Sequence, residues 1–358
     1  MSIKKIAKEA GVSTATVSRV LNNPGYKCSS EELRERIWKI ARELNYMPNE
    51  AARNLKKGIT DTSQKVWYID VLMTRTGNLE TDPFFSELLR VIESEIHRQG
   101  CILMHIFHQP LFSNDRKCRT ENIDKVIAQM ETDGEIRSDG LIIIGKCNDN
   151  VLKKLSAKYR SIVSVNRNST NYLVDEVICD GKRIAAMAVE YLIGLGHRKI
   201  GYVGDCHNES RYKGYQDTLF QYGIDMDISF VIEAEHTEAE GYAVMERLIQ
   251  RGDAPTAIYC ANDMIAIGML KCLNKYKNRY YVPSIISSDD IEEAQYTRPM
   301  LTTVRLPKEE MGKFALYLLI DRLSGGHKGI VRTELEGKLM IRESCTLVEN
   351  ANRMEYYI

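Results

Sequence analysis

Apolar residues follow two rhythms along this chain, and the change falls between Gly58 and Val66. In the first stretch the spacing is helical. Ile3, Ile6, Ala7 and Ala10 lie on one face of a predicted helix. Gly11 offers the positive-φ turn that a side chain would resist. Ser13 is a ready N-cap for a second short helix, whose Val17, Val20 and Leu21 face back onto the first. A third helix is predicted from near Ser29, where Ser29 and Glu32 have capping-box spacing. It carries Leu33, Ile37, Ile40, Ala41 and Leu44 on one face, and Asn45 can stop it.

The second helix leaves Thr14, Ala15, Thr16, Ser18 and Arg19 pointing outward, all small or polar except the arginine. A low outer face with hydroxyls for phosphates and an Arg for a guanine edge suits entry into a DNA major groove. Residues 47–58 follow as a short basic helix. Asn49 can cap it, Glu50 suits its positive end, Lys56 and Lys57 suit its negative end, and Gly58 closes it. So short a helix does not persist alone in water. Ala51 and Ala52 permit close approach of a second copy, and Leu55, flanked by lysines, has the composition of a minor-groove wedge.

From Val66 the rhythm changes to continuous apolar runs alternating with amphipathic stretches. Predicted strands are Val66–Met73, Cys101–Phe107, Gly140–Ile144, Ser161–Val165, Lys199–Val203, Ala257–Cys260 and Val282–Ser287. Predicted helices are Phe84–Gln99, Thr120–Met130, Gly181–Gly194, Tyr212–Tyr222, Glu238–Arg251 and Asp263–Asn274. This alternation is the signature of an α/β fold with parallel sheets covered on both faces. The units are too many for one compact sheet, so two lobes are expected. The lack of a Gly- or Pro-rich linker predicts several crossovers between them.

The formal net charge is zero over 358 residues, but it is unevenly placed. Residues 1–58 hold twelve Lys and Arg against six Asp and Glu, leaving thirty-seven against forty-three for the rest. A basic head on an acidic body predicts that only the head meets a polyanion. Nine dispersed cysteines without a C-x-x-C pair argue for free thiols in a reducing cytosol, not a disulfide framework or a zinc site. No apolar signal segment or membrane-length run is present, which predicts a cytoplasmic protein without membrane contact. Gly194, Gly196 and Gly201 miss the G-x-G-x-x-G spacing, and no Ser-His-Asp or metal-ligand spacing appears. An enzyme is therefore not expected, nor any cofactor. A transport binding protein would explain the body but not the attached head.

The ordered strings Ile3-Lys4-Lys5-Ile6-Ala7, Gly11-Val12-Ser13, Thr16-Val17-Ser18-Arg19-Val20-Leu21-Asn22 and Pro48-Asn49-Glu50-Ala51-Ala52-Arg53 resemble the LacI/GalR family of bacterial transcription repressors. In the body the resemblance continues through Asp82-Pro83-Phe84-Phe85, Leu195-Gly196-His197-Arg198-Lys199-Ile200-Gly201, Arg211-Tyr212-Lys213-Gly214-Tyr215 and Ala261-Asn262-Asp263. The length pattern is most similar to the branch holding the evolved β-galactosidase repressor.

The resemblance implies a helix-turn-helix headpiece over 1–46 and a hinge helix over 47–58. The body would be two-lobed like a periplasmic sugar-binding protein, with residues 65–174 and 305–333 in one lobe and 175–304 and 334–358 in the other. It implies a homodimer on a pseudo-palindromic operator of double-stranded DNA. Thr14, Ala15 and Arg19 would read bases, Ser13, Thr16, Ser18 and Asn22 would position phosphates, and Leu55 would wedge the operator's centre beside Asn49 and Lys56. A small-molecule effector, expected to be a sugar and within that class a galactoside, would lie between the lobes. Arg211 and Asp289 would clamp it, Asn166 and Asn262 would add polar contacts, and Phe84, Phe85 and His236 would line the site. The same parts serve induction and corepression. Three departures stand out: the longer loop Lys27-Cys28-Ser29-Ser30, the polar stretch Thr74 to Thr81, and Ser287-Ser288 where the family often has Gly and an aromatic.

Overall fold

The computed structural model describes residues 3–22, 30–43, 66–74, 82–113, 115–130, 137–170, 172–207, 209–276 and 281–350. The hinge segment with Asn49, Leu55 and Lys56, the Lys27–Ser29 insertion and residues 75–81 lie outside them. The chain divides into two compact units, Met1–Val66 and Trp67–Ile358.

In the first unit, α1 (Ile3–Ala10), α2 (Thr14–Asn22) and α3 (Glu31–Glu43) surround a core of Ile6, Ala7, Ala10, Val17, Val20, Ile37 and Ala41. Gly11 takes φ +67° at the α1–α2 turn, the left-handed region that a Cβ disfavours. The start of α3 differs from the expected cap. Leu33 N donates to Ser30 Oγ at 3.2 Å, one position beyond Ser29, because a side chain caps the amide three residues ahead.

The body holds two six-stranded sheets. The first is built from β1 (Tyr68–Met73), β2 (Ile102–His108), β3 (Gly140–Ile144), β4 (Ser161–Asn166) and β5 (Asp175–Ile178), with α4 (Pro83–Arg98), α5 (Asp115–Thr120), α6 (Ile123–Gln129) and α7 (Asp149–Ser156) between strands. The chain then crosses through α8 (Gly181–Gly194) to β6 (Ile200–Gly204), α9 (Ser210–Gln221), β7 (Val231–Glu233), α10 (Glu238–Ile249), β8 (Ala257–Cys260), α11 (Asp263–Tyr276), β9 (Ser284–Asp289) and β10 (Thr302–Arg305). It returns through α12 (Lys308–Ser324) to β11 (Arg332–Glu334) on the first sheet, then ends on the second with β12 (Lys338–Met340). The strand orders are β11-β5-β4-β3-β1-β2 and β12-β10-β9-β8-β6-β7, parallel throughout except β12 against β10. The central strands of the two lobes thus repeat one order.

Two expectations need correction. Residues 175–178 belong to the first lobe, because β5 pairs with β4 from Asp175 against Val163 to Ile178 against Asn166. Likewise Glu334 closes β11 on the first sheet and Arg305 ends β10 on the second. The single helix expected over Thr120–Met130 is two, since Asn122 caps a fresh start by accepting from Lys125 N at 3.1 Å.

Two local devices hold the second lobe. His197, fully buried, meets Thr256 Oγ1 and the Thr346 carbonyl at 3.0 Å each, tying the α8–β6 turn to the C-terminal segment. Gly241 and Gly268 let α10 and α11 touch backbone to backbone. A Cβ at Gly241 would stand 2.0 Å from the Ile265 carbonyl, and one at Gly268 2.0 Å from that of Glu238.

Candidate functional site

In parallel α/β sheets, ligands gather beyond the carboxyl ends of the strands where the strand order reverses. In the first lobe that point lies between β1 and β3, in the second between β6 and β8. The sequence delivers side chains to both. Phe84 and Phe85 open the helix after β1, buried and edge-to-face at 5.2 Å. Arg211 stands in the first turn of the helix after β6, Asn262 just after β8, and Asp289 at the end of β9.

Arg211 is 1% exposed and its donors are met inside the second lobe. Its Nε and Nη2 reach the two carboxylate oxygens of Glu209 at 3.0 and 3.1 Å, Nη1 bonds the Ala261 carbonyl, and Nη2 lies 3.1 Å from His236 Nε2. Burial works against its charge, but Glu209 and then Asp289 outweigh this and hold the guanidinium above its ordinary pKa. Asn262 accepts from Ile265 N at 3.1 Å and donates to the His236 carbonyl at 3.3 Å. It is therefore the N-cap of α11 as well as a neighbour of His236.

Asp289 pairs with Arg167, not with Arg211. It has φ +126° and Asp290 has φ +50°. Such positions persist only where their surroundings hold them. Arg167 secures the first, and Arg305 and Arg342, both at 2.5 Å, secure the second. The two adjacent carboxylates therefore diverge. Beneath them Asp263 is fully buried and accepts from Ser287 Oγ, Thr303 Oγ1 and Ile291 N at 2.5, 2.6 and 2.8 Å. Burial, and then the nearby Asp289 charge, push its pKa up to about 7. Ser288 Oγ lies 2.9 Å from Tyr259 Oη, so both serines that stand in place of Gly and an aromatic are bonded inward.

Of the expected residues, Asn166 turns its Oδ1 onto the amide of Arg167 at 2.7 Å. Arg167, Glu209 and Asp263 were missed. Each lies within two positions of an expected residue. Glu209 carries the clearest signal, an acid capping α9 through Arg211 N at 3.3 Å just before a buried arginine. Among the described residues no helix is long and apolar enough to cross a membrane, and no acidic, His or Cys cluster could hold a metal ion.

In the headpiece Ser13 Oγ accepts from Thr16 N at 3.1 Å and lies 2.9 Å from Thr16 Oγ1. Thr14 and Arg19 are exposed on α2. Ala15, Ser18 and Asn22 lie on the same helix, their side chains outside the described residues.

Residues 2–49 match the family model described as bacterial regulatory proteins, lacI family, and residues 189–345 match that of the periplasmic binding protein-like domain. The HTH-type transcriptional repressor MelR of Bacillus subtilis (strain 168) is 31% identical over 357 residues, covering 96% of this chain and 97% of that protein. The chain belongs to the lacI family. The HTH-type transcriptional repressor PurR of Haemophilus influenzae (strain PittEE) is 29% identical over 360 residues, with 96% and 98% covered. Among solved structures, the Lac repressor dimer bound to operator and the anti-inducer ONPF matches with TM-score 0.64 and 23% identity, covering 97% of this chain and 99% of that one. The transcriptional regulator CelR–cellobiose complex matches with TM-score 0.65 and 22% identity, covering 96% and 100%. This lacI-family member is a transcriptional repressor with an effector-binding domain, not an enzyme.

Proposed function

We propose that this repressor is controlled by a sugar, and within that class a galactoside, held between its two lobes. The observation that carries the reading is the arrangement at the two switch points. A buried Arg211 fixed by Glu209, with His236 and Asn262 beside it, lies near Asp289, while Phe84 and Phe85 pack edge to face at the start of the helix after β1 on the other lobe. Sugar hydroxyls need fixed donors and acceptors, and a ring's C–H face needs an apolar wall. Asn166 is read as a further polar contact. The reading agrees with the ligands of fold neighbours, cellobiose in CelR and ribose in a regulator from Enterococcus faecium.

The headpiece is read as one half of a symmetric operator reader, with the chain working as a homodimer in the cytoplasm. Thr14, Ala15 and Arg19 face the bases and Ser13, Thr16, Ser18 and Asn22 the phosphates, with Asn49, Leu55 and Lys56 acting at the operator's centre. Isothermal titration of the full chain against neutral mono- and disaccharides tests the sugar reading. Saturable binding that R211M abolishes supports it. Binding of none, or binding untouched by R211M, overturns it.

A further inference from the structure

The first sheet borders a cavity at the end away from the interlobe site. Ser161 opens β4 and Asp175 opens β5, so both stand at amino ends of strands, about 17 Å from the carboxyl ends for a strand the length of β4. A cavity of about 120 Å³ is lined by both residues and by Arg322 of α12. Most of its polar lining is already satisfied. Asp175 pairs with Nε and Nη2 of Arg322, lies 2.9 Å from His327 Nε2 and accepts from Val331 N at 2.8 Å. Burial works against its charge, but these partners outweigh it and hold the carboxyl below its ordinary pKa. The other Arg322 bonds go to the carbonyls of Lys328 and Gly329 at 3.1 and 2.6 Å. Ser156 donates to the Leu152 carbonyl at 2.9 Å, and Tyr159 donates to Asp70 at 2.8 Å. Two groups differ. Ser161 is 4% exposed, and its Oγ is buried without a partner, a costly and uncommon state. Arg160 donates to the Leu323 carbonyl at 3.1 Å and lies over the Trp67 ring at 5.5 Å, but among the described residues it pairs with no carboxylate.

We infer that this cavity is a second ligand site, taking a short-chain carboxylate anion with Arg160 as its counter-charge and Ser161 Oγ as a further donor. Charge selects the anion. Asp175 and Arg322 cancel one another, and Asp321 is met by His327, so the uncompensated charge on the lining is the Arg160 guanidinium. A guanidinium with open donors on its edge suits a carboxylate. Size limits the ligand. An apolar cavity of about 150 Å³ takes benzene, so this one has room for about five non-hydrogen atoms, the size of propionate. The remaining lining sets the shape of the other end. Ile162, Leu173, Val174 and Ile330 are apolar, which gives an alkyl chain a surface to cover and gives phosphate nothing. The site is separate from the interlobe effector, because it sits at the opposite ends of the same strands.

The test uses the full chain as wild type, R160M, R160K and S161A, titrated with sodium propionate at constant ionic strength. Saturation-transfer NMR on the propionate methyl reads binding, and amide hydrogen exchange reads its place. Arg160 is exposed and the Ser161 hydroxyl bonds nothing, so these variants keep the fold. Propionate should bind saturably at millimolar concentration. R160M should weaken it at least tenfold and S161A at least threefold, while R160K, which keeps the charge, stays closer to wild type than R160M. Inorganic phosphate and propionamide, the neutral counterpart, should each bind at least tenfold more weakly than propionate. Bound propionate should slow exchange at residues 159–162 and 173–176 and leave residues 287–291 at the interlobe site unchanged. Absence of saturable binding, wild-type affinity in R160M or S161A, or equal binding of phosphate or propionamide overturns the inference. Slowed exchange confined to 287–291 would place the anion in the interlobe site and overturns it as well.

Discussion

Glu209 and Arg211 hold each other inside the second lobe: Nε and Nη2 of the arginine meet both carboxylate oxygens of a residue two positions earlier, at 3.0 and 3.1 Å. Both side chains are buried, at 1% and 7% exposed. A pair this dry is sensitive to loss of one partner, because the remaining charge has neither water nor a counterion.

E209Q is therefore expected to destabilise the body by roughly 3–5 kcal/mol, read as a lower denaturation midpoint by circular dichroism. It should also weaken effector binding, since Arg211 would lose its fixed orientation. A loss below about 1 kcal/mol, the range of a surface pair, would contradict the account.

The crossing of α10 and α11 gives a test by sign. Gly to Ala inside a helix is normally stabilising by about 1 kcal/mol. At Gly268 the added methyl would stand 2.0 Å from the Glu238 carbonyl, so the helices must separate. G268A is expected to destabilise by about 1–3 kcal/mol. A stabilised G268A would show that the crossing is looser than described.

Two buried groups give opposite pH slopes. Burial holds the His197 pKa below 6.5, so protons favour the unfolded chain. Its stability contribution is complete above about 6.5 and is lost as pH falls through the depressed folded value. Asp263 is the reverse. With its pKa pushed up to about 7, its contribution is complete below about 3.9 and is lost as pH rises through 7. Urea midpoints from pH 5 to 8 separate them. Relative to wild type, H197Q should remove a fall towards pH 5, and D263N should remove a fall towards pH 8. Parallel profiles for wild type and both variants would refute the assignment.

Much of this was legible in the sequence, and the misses have physical causes. Gly181–Gly194 emerged with its expected bounds because seven of its residues form a buried stripe at helical spacing. The short strands β5, β7, β10, β11 and β12 escaped because three or four residues are too few to show a period, whereas the equally short β8 stood out as the apolar run Ala257–Cys260. The helix Lys308–Ser324 went unanticipated although Met311, Ala315, Leu319 and Leu323 recur at four-residue steps. At the site, Arg211 opens the helix after β6 and Asp289 ends β9, yet they do not pair with one another. Glu209 is a local partner, two positions before Arg211, whereas Arg167 meets Asp289 only because the two sheets face each other, which no local pattern encodes.

In the headpiece, Ser13 bonds Thr16 N, so S13A should cost about 1 kcal/mol of headpiece stability. Arg19 is exposed on α2. R19A is expected to lose about 1–3 kcal/mol of discrimination at one operator base pair, read by binding to single-substituted duplexes. A uniform loss across all duplexes would assign Arg19 to phosphate instead.

The central claim is that a small molecule between the lobes governs operator binding. Fluorescence anisotropy of the full chain tests it directly, using a pseudo-palindromic duplex selected from a random pool, with and without a galactoside shown to bind. The account predicts tight, sequence-selective binding whose affinity the galactoside changes by about 5–150-fold, a coupling of about 1–3 kcal/mol. The same operator affinity at zero and saturating galactoside would contradict it.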